Sequence, residues 1–465
     1  MLSPTDLLVT RSGAVVAPAG HGKTEIIASL AGLAKRSLIL THTHAGVHAI
    51  RDRIKRLGIS SAMVAVDTIA GWCMTYAHAF PKAASPCEGM PRTPAEWDQL
   101  YRGVIAALKI QAVQDVLKAS YERVLIDEYQ DCNFLQHELA VELSSMIPTV
   151  IFGDPMQGIF EFAGATLNWE AEIHPHFPYQ GTLETPHRWI GKNEELGRWI
   201  AATRIHLQQG EQIDLQDAPI KVVSANDAFD MGALFDGIDD KTGLHAAIHC
   251  NKTLCYRIAR ASGGGFQAIE EIAASRLQAF AKQWDEATIL AHRVQAFTSL
   301  LSECIQVIPT LPGQVLCPED LAISLETLML QNTLMQDSGT GAILKLLSIV
   351  KRRSDFRLFR REVWRDAERA AGELANGRAA TMEEAVAIVK QSTARTGRLL
   401  PHRTVSTPLL LKGLEFDHVV IPDASHFANE RFASAKLFYV AISRATQSLT
   451  ITSSQRYLRF PAPRN

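Results

Sequence analysis

The run Ala14-Val15-Val16-Ala17-Pro18-Ala19-Gly20-His21-Gly22-Lys23-Thr24 reads as a buried strand, a glycine-bearing turn and the start of a helix. Such a turn wraps backbone N–H groups around a phosphate, because Gly20 and Gly22 put no side chain in the way. Lys23 adds a point charge, and the Thr24 hydroxyl is a ligand suited to Mg²⁺. Ala19, Gly20, His21, Gly22, Lys23, Thr24 and Glu25 are therefore candidate triphosphate-binding residues.

The acidic partner that this turn requires is written in Val124-Leu125-Ile126-Asp127-Glu128. Asp127, closing an apolar strand, is placed to hold the same ion through its water shell, and Glu128 to take a proton from an attacking water. Asp127-Glu128-Tyr129-Gln130-Asp131 and Gly153-Asp154-Pro155-Met156-Gln157 both follow strands. Both belong at the carboxyl edge of a sheet, where open α/β folds bind ligands. Gln157 is a candidate γ-phosphate sensor or water-orienting group. Standing alone, Gln130 or Gln157 would read as an ordinary turn glutamine.

The 465 residues exceed one hydrophobic core and predict two to four domains. A net charge of -2 excludes a globally basic nucleic-acid binder and leaves room for a local basic groove. The seven cysteines form no C-x-x-C pair, which fits reduced structural thiols. No apolar run is long enough for a bilayer and no secretory leader is visible, so the expectation is a cytoplasmic protein without a membrane partner.

Strands at Ala14 to Ala17, Arg36 to Thr41, from Val64, at Val124 and at Thr149 to Phe152 alternate with helical spacing, as in a parallel sheet covered on both faces. Helical spacing from Glu96 to Ser120 follows a Pro- and Ser-rich stretch. A second α/β unit begins near Ile220 to Val223, includes Ala246 to His249, and returns at Val419 to Ile421 and Leu449 to Thr452. Glu271 to Arg398 reads as mostly helical. No internal repeat or low-complexity tract is visible.

With these motifs in order, the chain resembles the UvrD/Rep-like branch of superfamily 1 helicases. Ile39 to His44 with Ala49 to Ile54 resembles motif Ia, and Thr68 to Cys73 is a weaker likeness to motif Ib. Asp127 to Asp131 resembles motif II, Gly153 to Ala165 motif III, and Leu183 to Arg188 motif IV. Ser406-Thr407 with Lys412 to Asp417 resembles motif V, and Tyr439 to Ala445 motif VI. The resemblance implies an α/β fold of two RecA-like P-loop domains, each with a mostly helical insertion. It places the first domain at 1–80 and 119–190 with its insertion at 81–118, and the second at 191–270 and 399–465 with its insertion at 271–398.

By the same resemblance the cofactors are ATP and Mg²⁺, and the activity is ATP-driven translocation along single-stranded DNA from 3′ to 5′. Arg188 and Arg444 match two arginine fingers that stabilise charge on the γ-phosphoryl oxygens. Glu415 matches the sugar contact and His187 the base-stacking position. Thr43, His44, Thr68 and Thr407 match strand-contacting positions, and Phe160 and Phe162 match the stacking aromatics of motif III. Without the resemblance, each arginine reads as a surface salt-bridge residue, and a Phe pair two apart on a turn reads equally as core or as a stacking pair.

Several family positions are changed. No glutamine precedes the phosphate turn, which leaves adenine selectivity open. His42, Ala70, Ala163 and Leu409 stand where the family grips DNA with other side chains. The hydrolytic residues are kept while the strand contacts thin out. This pattern motivates a second reading: a nucleotide-gated regulatory ATPase bound to a nuclease or other effector partner. By analogy, Gabija-type anti-phage systems pair a small helicase with a nuclease. His42, His44 and His48 also read as a metal cluster or as a solvent- or DNA-facing edge, and Lys351-Arg352-Arg353 as a solvated helix end or a phosphate contact.

Overall fold

The computed structural model describes residues 2–160 apart from 88 and 92, and 167–307 apart from 217, 226, 228, 231, 233, 234, 239, 263, 264 and 270–272. It also describes short pieces of 341–358, and residues 360–396 and 401–463. Two parallel sheets organise the chain, each of six strands among the described residues.

The first sheet comprises β1 (Ser12–Val16), β2 (Ser37–Thr41), β3 (Val64–Thr68), β4 (Arg123–Ile126), β5 (Thr149–Gly153) and β6 (Tyr179–Thr182), in the order β3-β2-β4-β5-β1-β6. The apolar runs of β2, β4 and β5 are buried throughout, as strands covered on both faces require. Along β2, Leu38 and Leu40 pack on one face, with the helices Ile69–Ala79, Pro94–Leu108 and Phe134–Met146. Ile39 joins the other, against Ile27 and Leu30 of the Lys23–Leu33 helix and Ile50 of the His44–Arg56 helix. The strand order sets the site: β5 lies between β1, which ends in the phosphate turn, and β4, which ends in Asp127.

Next come β7 (Gln212–Asp214), β8 (Lys221–Ser224), β9 (His245–Ile248) and β10 (Gln267–Ala268), then β11 (Ile305–Val307), β12 (Phe356–Leu358) and β13 (Arg403–Ser406). β14 (Phe416–Ile421), β15 (Ala445–Ser453) and β16 (Tyr457–Arg459) complete the strands among the described residues. The second sheet runs β10-β13-β9-β14-β15-β8, all parallel. Leu196, Ile200 and Leu207 of the Glu194–Gln209 helix pack on it with Phe438 and Ile442 of the Ser434–Ile442 helix. Ala19 and Met156 from the first lobe enter this same core, so apolar contact joins the lobes beside the phosphate turn.

The stretch read as helical from Glu96 to Ser120 is two helices, Pro94–Leu108 and Gln111–Ser120, broken at Lys109-Ile110. Thr93 and Glu96 form a capping box that starts the first. This segment packs directly onto the first sheet: Leu100, Val104, Leu108 and Leu117 share a core with Val124 and Ile151. The larger insertion has its own core around Phe280, Trp284, Phe297 and Trp364, and it contains the antiparallel pair β11–β12 beside its helices. Among the described residues no helix is long and apolar enough to cross a membrane.

Candidate nucleotide site between the two sheets

Gly20 and Gly22 turn the chain with φ of +75° and +83°, which L side chains rarely adopt. Space forbids a side chain as well. A Cβ on Gly20 would lie 2.7 Å from Cβ of Arg188, and one on Gly22 would lie 2.9 Å from Cδ2 of His187. The turn therefore sits against the His187–Trp189 segment, and the Arg188 N–H donates to the Gly20 carbonyl at 3.0 Å. His21 is buried in the turn, with Nδ1 2.9 Å from the Ala19 carbonyl, and burial lowers its pKa. Thr24 enters the Lys23–Leu33 helix one residue later, whereas Glu25 faces outward and pairs with Arg53 at 2.6 Å.

Lys23 Nζ lies 2.8 Å from Asp127 Oδ1 and also contacts Glu128 Oε1. Burial works against the lysine's charge, but the two carboxylates outweigh it and raise its pKa. Burial also works against both acids. Lys23 and Lys412 overcome it at Glu128, holding that pKa down to about 2, while Asp127 is raised. Glu128 is thus ionised, as a proton acceptor must be. Its backbone has φ +56°, an uncommon conformation for a residue with a side chain, and its N–H donates to Asp127 Oδ1 at 2.8 Å. Hard oxygen donors on Thr24 and Asp127 suit Mg²⁺, and the acid pair already neutralises one cation in Lys23.

Gln130 Nε2 donates to Glu128 Oε2, and its Oε1 accepts from the Asp154 N–H at 2.9 Å. Asp154 Oδ2 accepts from Gln157 Nε2 at 3.1 Å. A chain of hydrogen bonds therefore links the ends of β4 and β5, the two motifs read as one carboxyl edge.

Across the cleft, Arg188 donates to Glu415 Oε1 from Nε at 3.0 Å and to the Ser443 carbonyl from Nη1. Arg444 is buried, 1% exposed, and spends its donors on its own lobe: the Val440 carbonyl at 3.0 Å, the Leu414 carbonyl at 3.2 Å and Ser443 Oγ at 2.8 Å. Burial and the facing Arg188 press its pKa down to about 9, still charged at neutral pH. Lys412, Tyr439 and Arg204 also bridge the lobes, although sequence reasoning did not single them out as site residues. Lys412 lay unremarked inside a recognised motif; Arg204, mid-helix, carried no signal.

The candidate strand-contacting residues divide into two groups. Thr43 lies just past β2 and Thr68 closes β3, and their hydroxyls cap helices, accepting from Gly46 N–H at 3.0 Å and Gly71 N–H at 2.9 Å. Thr43 and His44 are exposed, while Thr68 is buried. Thr407 follows β13 in the second lobe and makes no capping bond. Phe160 is 39% exposed, with Lys412 Nζ 5.4 Å from its ring centroid. Phe162 lies outside the described residues, as does Ala163.

His42 turns inward to Cys132, 3.4 Å from Nε2 to Sγ, and burial drops its pKa to about 4. His44 and His48 are exposed, and among the described residues no group of three or more His, Cys, Asp and Glu is arranged to hold a metal ion. Of the basic run, Lys351 and Arg353 lie outside the described residues.

Two stretches of the chain match known families. Residues 76–178 match the UvrD/REP helicase N-terminal domain, and residues 404–452 match the UvrD-like helicase C-terminal domain. The first stretch holds Asp127 to Gln157, and the second holds Thr407 to Arg444. No curated protein matches. A complex of arterivirus nonstructural protein 10, a helicase, with DNA is similar at 10% identity over 96% of this chain and 62% of that one, with a TM-score of 0.35. The PRRSV helicase is similar at 11% identity over 97% of this chain and 54% of that one, with a TM-score of 0.34. The chain spans only part of either relative's length, and likeness at this level carries no argument about substrate.

Proposed function

We propose that this chain is a UvrD/Rep-like superfamily 1 helicase, an ATP-dependent translocase on single-stranded DNA that moves 3′ to 5′ by opening and closing the cleft between its two sheets. The observation that carries this reading is the convergence at one cleft. The phosphate turn, Asp127, Glu128 and Gln157 come from the first lobe, and Glu415 and Arg444 from the second, with Arg188 bonded to both.

ATP would lie against Gly20 to Thr24, with Thr24 and Asp127 holding Mg²⁺, which supplies charge neutralisation between the phosphates. Lys23 would exchange its acid partners for phosphate oxygens. Glu128, ionised and freed of Lys23, would accept the proton of the attacking water, with Gln157 orienting that water. Arg188 would leave Glu415 for the γ-phosphoryl oxygens, and Glu415 would take the sugar. His187, over Gly22, is the stacking candidate for the base. Arg444 would reach the phosphate only by giving up backbone carbonyls, so its finger role requires a rearrangement within its own lobe. Thr43, His44 and Thr68 on the first lobe and Phe160 and Thr407 by the cleft and second lobe would form two alternating grips on the strand.

A second reading is favoured by one observation: His42 faces Cys132, and the Thr43 and Thr68 hydroxyls are engaged as caps, so the strand grip is thin. On that reading the same cycle gates a bound effector, such as a nuclease in an anti-phage pair. Partial duplexes with 3′ or 5′ single-stranded tails separate the readings. Unwinding of the 3′-tailed duplex alone supports the translocase, unwinding from 5′ tails overturns the polarity, and ATP turnover without either supports the regulator.

A further inference from the structure

Arg204, midway along the Glu194–Gln209 helix, is 8% exposed, and Asp154, at the end of β5, is 1% exposed. The guanidinium donates to Asp154 Oδ1 from Nη2 at 2.6 Å and from Nε at 3.3 Å, while Nη1 holds Gln208 Oε1 at 3.1 Å. Its carbon lies 5.9 Å from the ring centroid of Tyr439, itself 1% exposed. The Tyr439 hydroxyl accepts from the Ala19 N–H of the phosphate turn at 2.9 Å. The helices bearing Arg204 and Tyr439 pack on each other in the second lobe's core. Asp154 and Ala19 belong to the first lobe, so both bonds cross the cleft.

We infer that Arg204 is a positioning residue for ATP hydrolysis, a latch that reports lobe closure to the γ-phosphate sensor through Asp154 and to the phosphate turn through Tyr439. The inference rests on the ATPase reading above. Asp154 has two carboxylate oxygens with separate tasks: Oδ1 takes Arg204 and the Met156 N–H at 3.1 Å, and Oδ2 takes the Gln157 amide nitrogen. With Nε2 of Gln157 tied to Asp154, its Oε1 is the end left to accept from a water. Without Arg204, the buried carboxylate loses its counter-charge, and a carboxylate that rotates or rehydrates in response releases Gln157. The amide is then free to turn its NH₂ end toward the cleft, where it cannot accept. Only a planar fork reaches Asp154 and lies against the Tyr439 ring at once, so lysine is no substitute.

The test compares native chain, Arg204→Lys, Arg204→Gln and the double variant Arg204→Gln/Asp154→Asn for thermal midpoint, ATP KM and kcat in one assay. Arg204→Gln alone is destabilised. The double variant, with no buried charge left unpaired, recovers the native midpoint. The latch predicts that its kcat nevertheless stays down by at least about tenfold with KM within about threefold of native, the signature of a lost transition-state contact. Arg204→Lys follows the same split. A double variant that recovers both midpoint and kcat makes the pair structural and overturns the inference. A native chain without turnover overturns the ATPase reading and this inference with it.

Discussion

Lys412 Nζ donates to both carboxylate oxygens of Asp131, at 2.7 and 2.6 Å, and to the Gln157 carbonyl at 2.8 Å, so one ammonium ties the second lobe to the turns after β4 and β5 across the cleft. Both side chains are nearly buried. Removing one partner leaves the other charge without compensation, a loss of about 3–5 kcal/mol for a buried pair. Lys412→Ala is therefore expected to separate the lobes and to slow ATP turnover. Small-angle scattering reads the first as an increase in radius of gyration, and a steady-state assay reads the second.

Asp131 gives the clasp a pH dependence. Burial raises its pKa to about 6 against the opposing pull of Lys412. A carboxyl whose folded pKa exceeds its unfolded value of about 4 favours the folded state when protonated. Its contribution is present below about pH 4 and lost as pH rises through about 6, on the order of 3 kcal/mol in all. Asp131→Asn is expected to remove that slope, so the difference in midpoint between native and variant should change across this window and level off above it.

Gly22 is constrained twice, by φ +83° and by His187 at 2.9 Å from a would-be Cβ. Gly22→Ala should cost about 1–2 kcal/mol from the left-handed backbone alone. It should also push His187 off the turn and weaken nucleotide binding. Fluorescent-nucleotide titration checks this: affinity close to native would remove the close-packed turn from the account.

Thr68 separates a structural role from a strand-contacting one. Its hydroxyl caps the Ile69–Ala79 helix, so Thr68→Val should lose about 1 kcal/mol of stability whatever the solution contains. An unchanged midpoint with weaker single-strand binding would instead make its hydroxyl a DNA contact.

The first lobe's candidate site was legible because its motifs are local. A turn needing two glycines, an acid pair ending an apolar run and a turn after β5 are each written within a few adjacent residues. Parallel order followed from unbroken apolar strands. The clasp and latch were not visible, because Lys412 meets Asp131 281 positions away and Arg204 meets Asp154 50 positions away, pairs that only folding creates. β6, β7, β10 and β16 escaped because they are short and carry polar residues. The break at Lys109-Ile110 escaped because apolar spacing continues across it. The turning of His42 toward Cys132 had no sequence signal at all.

The most direct test is ATP hydrolysis by the purified chain with and without single-stranded DNA, with Glu128→Gln as the comparison. Native turnover should rise with DNA. Glu128→Gln should retain nucleotide while losing roughly 10²–10⁴-fold in rate, the usual contribution of a general base. Turnover that ignores DNA, or that survives in Glu128→Gln, would contradict a DNA-driven motor with Glu128 as its base.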